Sequence, residues 1–153
     1  MAARNPNEAM SFRLDAAVTS ATATAPTSTD GSEGIPCPTM KSMRARAHLE
    51  CVSGAASGTR SYRVKVFGYR SRWFTMDADG WAATAGIPAE IASTGRWFEI
   101  FDTETESNAA DFNKSYLLDG AADFERLETR VWTIGGSTPT LSTAIGFAGG
   151  REQ

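Results

Sequence analysis

Residues 43–52 read MRARAHLECV. Met43, Ala45, Ala47, Leu49 and Cys51 fall on one phase of an alternation, and Arg44, Arg46, His48 and Glu50 on the other. Successive side chains of a strand point to opposite faces of its sheet, so this period of two predicts a strand with one buried and one solvated face. The same reading extends outward along the chain. After the turn SGAASG, residues 60–69 place Tyr62, Val64 and Val66 inward and Arg63 and Lys65 outward. Phe67 and Tyr69 then break the alternation, which predicts a bend or bulge near Gly68. Residues 72–76 (RWFTM) restart a strand, and DADG at 77–80 signals a turn.

Further strands are expected at 96–102, 114–118, 127–134 and 140–147, with a polar, carboxylate-rich turn region from Thr103 to Asn113. In the first, Phe98 and Ile100 share one face and Trp97, Glu99 and Phe101 the other. In the third, Leu127, Thr129, Val131 and Thr133 oppose Glu128, Arg130, Trp132 and Ile134, so both faces are expected to be covered. Helix competes in two places. Pro88 suits a first helical position in a short helix within 82–94. Asp119 suits an N-cap ahead of Phe124, Leu127 and Val131, but Thr129, Val131, Trp132, Thr133 and Ile134 are strand formers and favour the strand. A succession of short strands separated by turns predicts an all-β fold, an antiparallel β-sandwich or jelly-roll-like body spanning 39–148.

Residues 1–38 differ in kind. Thr19–Gly34 reads TSATATAPTSTDGSEG, too poor in apolar surface to offset its own ordering entropy. An extended arm or loose loop is expected, with one short strand at 11–18 where Phe12, Leu14 and Ala16 alternate with Arg13 and Asp15. Pro26, Pro36 and Pro38 oppose helix. Residues 149–153 form a Gly-rich tail.

At 153 residues with 41% hydrophobic content the chain is one domain with its own core. A net charge of −3 supplies no positive field for nucleic acid. No window approaches the roughly 18 apolar residues of a membrane span. The first residues have no apolar segment of the secretory kind, which predicts synthesis in the cytoplasm. Cys37 and Cys51 are too few for a disulfide framework and are expected as free, buried thiols, with a single bridge between them as the alternative. With a single histidine and no paired cysteines, neither a metal nor another cofactor is expected.

Catalytic groups are scarce. His48 sits between Arg46 and Glu50 on a polar strand face, where a surface histidine is the simpler reading than a general base. Asp102, Glu104, Glu106 and Asp111 have the composition of a glycosidase pair or calcium site, but solvated turns have it too. Asp77, Asp79 and Gly80 open like a calcium loop, yet Pro88 stands where its bidentate Glu belongs. The aromatics are the richer signal. Trp73, Trp81, Trp97 and Trp132, with Tyr69 and Phe101, exceed what a small core needs. They accompany Arg70, Arg72, Arg96 and Arg130, the combination enriched in protein interfaces. Ordinary core packing and sugar stacking compete with that reading. The interface candidates are Phe12, Leu14, Tyr69, Arg72, Trp73, Trp97, Phe101, Arg130 and Trp132.

The run DGAADFERLETRVWTIGGSTPTLSTAIGFAGG (119–150), with the arm and the strand-rich body, resembles accessory virion proteins of tailed bacteriophages. The likeness is one of architecture and texture, and it carries no functional residue over. It implies a non-enzymatic virion component, foremost a capsid cement (decoration) protein bridging neighbouring capsid subunits. A head–tail connector, collar or tail component is the near alternative. A carbohydrate-binding module of a receptor-binding fibre is the alternative of another class, and a small hydrolase a third. Expected partners are the major capsid protein or other virion proteins and further copies of the chain, a trimer among the symmetric options, with neither nucleic acid nor membrane.

Overall fold

The computed structural model describes residues 9–37, 46–71 and 96–148. The expected strand at 72–76, the DADG turn, the helix within 82–94, Met43, Arg44, Ala45 and the tail lie outside the described residues. Those described are all-β, with antiparallel sheets and a single 3-10 turn at Ala121–Asp123. The nine strands are β1 (Ala9–Val18), β2 (Ile35–Pro36), β3 (Arg46–Gly54), β4 (Ser57–Arg70), β5 (Arg96–Asp102), β6 (Glu106–Asn108), β7 (Phe112–Leu118), β8 (Arg126–Ser137) and β9 (Thr140–Ala148). They form a four-stranded sheet in the order β1-β9-β3-β7 and a five-stranded sheet in the order β2-β8-β4-β5, with β6 also on β4.

The alternation in β3 holds as read. Ala47, Leu49 and Cys51 are buried, while Glu50 is exposed and His48 half-buried. β9 lies beside β3 and sends Leu141, Thr143, Ile145 and Phe147 to the same side. The facing sheet contributes Tyr62, Val64 and Val66 from β4 and Leu127 and Val131 from β8. These side chains make one sandwich core. At its open side Tyr62 joins the sheets: its hydroxyl is 2.6 Å from that of Tyr116, and its ring stacks on Phe112 at 5.5 Å. Burial is the main reason the Tyr62 hydroxyl is pushed far up; burial likewise lifts Tyr116 to about 12.

Two register slips modify the simple alternation. The β4–β5 register slips between Val66 and Phe67, next to Gly68 as expected, with Ile100 of β5 as the extra residue. Ile100 and Phe101 consequently both pack against the core, although the alternation assigned them to opposite faces. Gly68 is also the spot over which the Phe124 ring lies, where a Cβ would collide with it. The β4–β8 register slips at Trp132, after which Thr133 is exposed and Ile134 turns to the core. Up to Val131, β8 is covered on both faces as expected, with Leu127 and Glu128 both buried. The turn region 103–113 also holds a strand, β6, too short and polar to announce itself.

The N-terminal segment forms its expected strand as β1, which adds to β9 and thereby to the chain's own body. Residues 19–34 form no strand and are docked on the body rather than loose. The Thr22 and Ala23 amides donate to the Val131 carbonyl (2.8 and 3.2 Å), Pro26, Gly31 and Gly34 are buried, and β2 closes on β8. Composition predicted no self-made order, yet Glu33 accepts the Thr27 and Ser28 amides within the segment. The rest of the order comes from polar groups of the body that meet the segment's backbone. Cys37 and Cys51 are free, Cys51 buried as expected but Cys37 only half-buried, and burial pushes both thiols up to about 12.

Candidate assembly surfaces

The outward side of the five-stranded sheet is built from the alternate positions of β4 and β8. Lys65 pairs with Arg130, Phe67 with Glu128 and Tyr69 with Arg126. The segment 27–34 lies on the Tyr69 end of this face. Glu33 organises it: its carboxylate accepts the Thr27 amide (2.8 Å), the Ser28 amide (2.6 Å) and Arg130 Nη2 (2.7 Å). The Ser28 amide, followed by that of Thr27 and by Arg130, holds this carboxyl near 2 against the opposing effect of burial. Trp97 Nε1 donates to the Ser28 carbonyl (2.9 Å), the Tyr69 hydroxyl to that of Thr29 (2.5 Å), and Arg126 to that of Gly34 (3.0 Å). Gly31, at φ +74°, lies over the Tyr69 ring where a Cβ would sit 2.6 Å from Cδ1. Only glycine satisfies both that angle and that approach.

The sequence-derived interface candidates therefore separate. Tyr69 and Trp97 are brought together, ring centroids 5.2 Å apart, but beneath the chain's own N-terminal segment. Arg130 belongs to the same contact through Glu33. Trp132 stands apart from them, against Phe67 (6.4 Å) with Lys65 Nζ 4.3 Å from its ring centre. Phe101 packs against the core and Tyr116. Leu14 stands in register with Ala144, and Phe12 is the extra residue of a bulge on β1. Arg72 and Trp73 lie outside the described residues. The aromatics placed here serve largely as packing within the chain.

Each turn carboxylate meets a cation. Asp102 takes Arg63 through Nε (3.0 Å) and Nη2 (2.5 Å), with Glu104 3.8 Å from the same guanidinium. Lys65 bridges to Glu99 at 2.6 Å, Glu106 holds Lys114 at 2.6 Å, and Asp111 holds Arg60 at 2.7 Å. Hydrogen bonds from Arg63 and Arg60 are the main reason that Asp102 and Asp111 lie below the usual carboxylate range. A glycosidase acid needs the reverse, a carboxyl held protonated near neutrality. Among the described residues no group of three or more His, Cys, Asp or Glu is placed to hold a metal ion.

The outward side of the four-stranded sheet is different. Three cross-strand rows cross it: Asn113–Val52–Ser142, Ser115–Glu50–Ala144 and Leu117–His48–Gly146. Val52 (54%) and Leu117 (36%) are the exposed large hydrophobic residues among those described. Both escaped the sequence reading. The signal was there: Val52 occupies the charged phase of β3, and two consecutive leucines at 117 and 118 cannot both face one core. No family model, curated protein or solved structure matches the chain.

Proposed function

We propose that the chain is a non-enzymatic structural protein of a phage particle, a capsid cement protein that bridges neighbouring capsid subunits. The observation that carries the reading is the outer face of the four-stranded sheet. It is lined by small residues at Ser142, Ala144 and Gly146 and carries two exposed apolar residues, Val52 and Leu117. Small residues let another backbone approach closely, and a wet interface combines a few apolar contacts with a polar, hydrated rim. The ionised, cation-paired state of the turn carboxylates supports the same reading, because it leaves them in structural roles.

The test is co-sedimentation with tailed-phage heads assembled without accessory proteins. Saturable binding by the native chain, lowered at least about tenfold by Val52→Asp with Leu117→Asp, is the expected result; that loss is about 1.4 kcal/mol. A chain that stays at the top of the gradient, or binds as well with both substitutions, refutes the proposal. Retention on a glycan array instead would move the chain to the carbohydrate-binding class.

A further inference from the structure

The sandwich has a seam where β9 of one sheet and β8 of the other run along the same side. One contiguous segment, residues 9–37, closes both. Its first part, β1, pairs antiparallel with β9 from Ala148 to Leu141. Its middle caps the Val131 carbonyl through Thr22 and Ala23, and its last part pairs Ile35 with Leu127 and sends the Cys37 amide to the Glu125 carbonyl (2.8 Å). Between these anchors a cleft of about 370 Å³ remains, walled by Val18, Thr22 and Glu33 on one side and Glu128 to Val131 on the other. The segment is thus a clip fastened to the body along two sheet edges.

We infer that this clip is exchangeable, and that the seam of one copy accepts residues 9–37 of a second copy. Every contact named above joins the clip to the body and would form unchanged if the two came from different chains. This is the physical basis of strand exchange between identical protomers. The connection between them is residues 38–45, which separate Cys37 from Arg46. A chain's own clip prevails in dilute solution only because tethering gives it an effective concentration of roughly millimolar order. Neighbours held side by side on a particle reach that same range, and own and foreign clips then compete on equal terms. The inference deepens the assembly reading and rests on it for the nearness of other copies. Its test uses the protein alone, so failure to exchange and failure to bind heads are separate results.

Leu14 and Ala144 are partners in the β1–β9 register. Full-length L14C and A144C chains, each carrying Cys37→Ser, are mixed, unfolded and refolded together under reducing conditions and then oxidised; Cys51 is reduced and buried at that stage. A covalent heterodimer is expected, with a yield rising at least about tenfold between roughly 10 µM and roughly 1 mM. The double variant L14C/A144C, refolded when dilute, is expected to close within one chain. No heterodimer at roughly 1 mM, although the double variant closes, overturns the inference. So does an equal yield of dimer from L14C alone, which would mean random encounter. A double variant that fails to close removes the β1–β9 register on which the inference stands.

Discussion

The two sheets share one core but treat their outward sides in opposite ways. The five-stranded sheet carries Tyr69, Trp97, Arg130, Trp132 and Lys65 outward, and its Tyr69 end lies under residues 27–34. The four-stranded sheet presents Val52 and Leu117 outward, the exposed large hydrophobic residues among those described. Among the described residues, the large aromatics that composition marks as adhesive are therefore largely those already used internally. The face open to a partner is made of small and scattered groups. Residue type alone names what can bind; only the fold says what is still free to do so.

The largest test concerns the shared core, without which the two faces belong to no common body. Leu49 is fully buried between the sheets. Leu49→Ala should lower stability by about 2–5 kcal/mol in urea unfolding, from lost transfer energy and the cavity left behind. A loss under about 1 kcal/mol would show that the sheets do not pack through β3.

Legibility divides along the same line. β3 and β9 were readable because one face is wet, so the pattern of the chain reports burial directly. β8 was readable as covered on both faces, but not what covers it, since Glu33 and Arg130 lie far apart in sequence. The slip beside Gly68 was legible but not its extra residue Ile100, and the slip at Trp132 was invisible, because a bulge changes facing without changing composition. The N-terminal segment has too little apolar surface to predict docking, and its anchors are backbone groups that composition does not count. The open face was hidden by the attention large aromatics attract, although Val52 broke the polar phase in plain view.

The next largest effect tests the covered face. Gly31→Ala places a methyl group against Tyr69 at a backbone angle that side chains rarely adopt. A loss of about 1–3 kcal/mol is expected, with faster hydrogen exchange at the Thr22 and Ala23 amides. Unchanged exchange there would mean that the segment does not dock through Gly31.

Glu33→Gln acts on the same contact with less force, about 1 kcal/mol at neutral pH, since Arg130 loses a charged partner that is partly open to water. The sign with pH follows from the direction of the shift. The carboxyl falls from its ordinary 4.5 to about 2 on folding, so its contribution is full above about 4.5 and fades as pH drops through about 2. The gap between the urea midpoints of native chain and variant should therefore close on acidification across that window. A constant gap would assign the effect to shape and not to charge.

The smallest expected effect on stability carries the most about function. Val52 sits on the same strand as Leu49, three residues on, but faces the open side at 54% exposure. Removing part of a side chain already in water forfeits little transfer energy and opens no cavity, so Val52→Ser should shift stability by no more than about 0.5 kcal/mol. A loss as large as that of Leu49→Ala would mean that something in the chain covers Val52, and the contrast between the two faces would fail. The same variant separates folding from docking. If the open face meets capsid subunits, the apolar contact at Val52 is made only in the assembly, and its removal should weaken co-sedimentation with phage heads while unfolding stays put. A residue that matters to neither measurement would return this face to ordinary surface and shift the search for an interface to the edge strands β1 and β7.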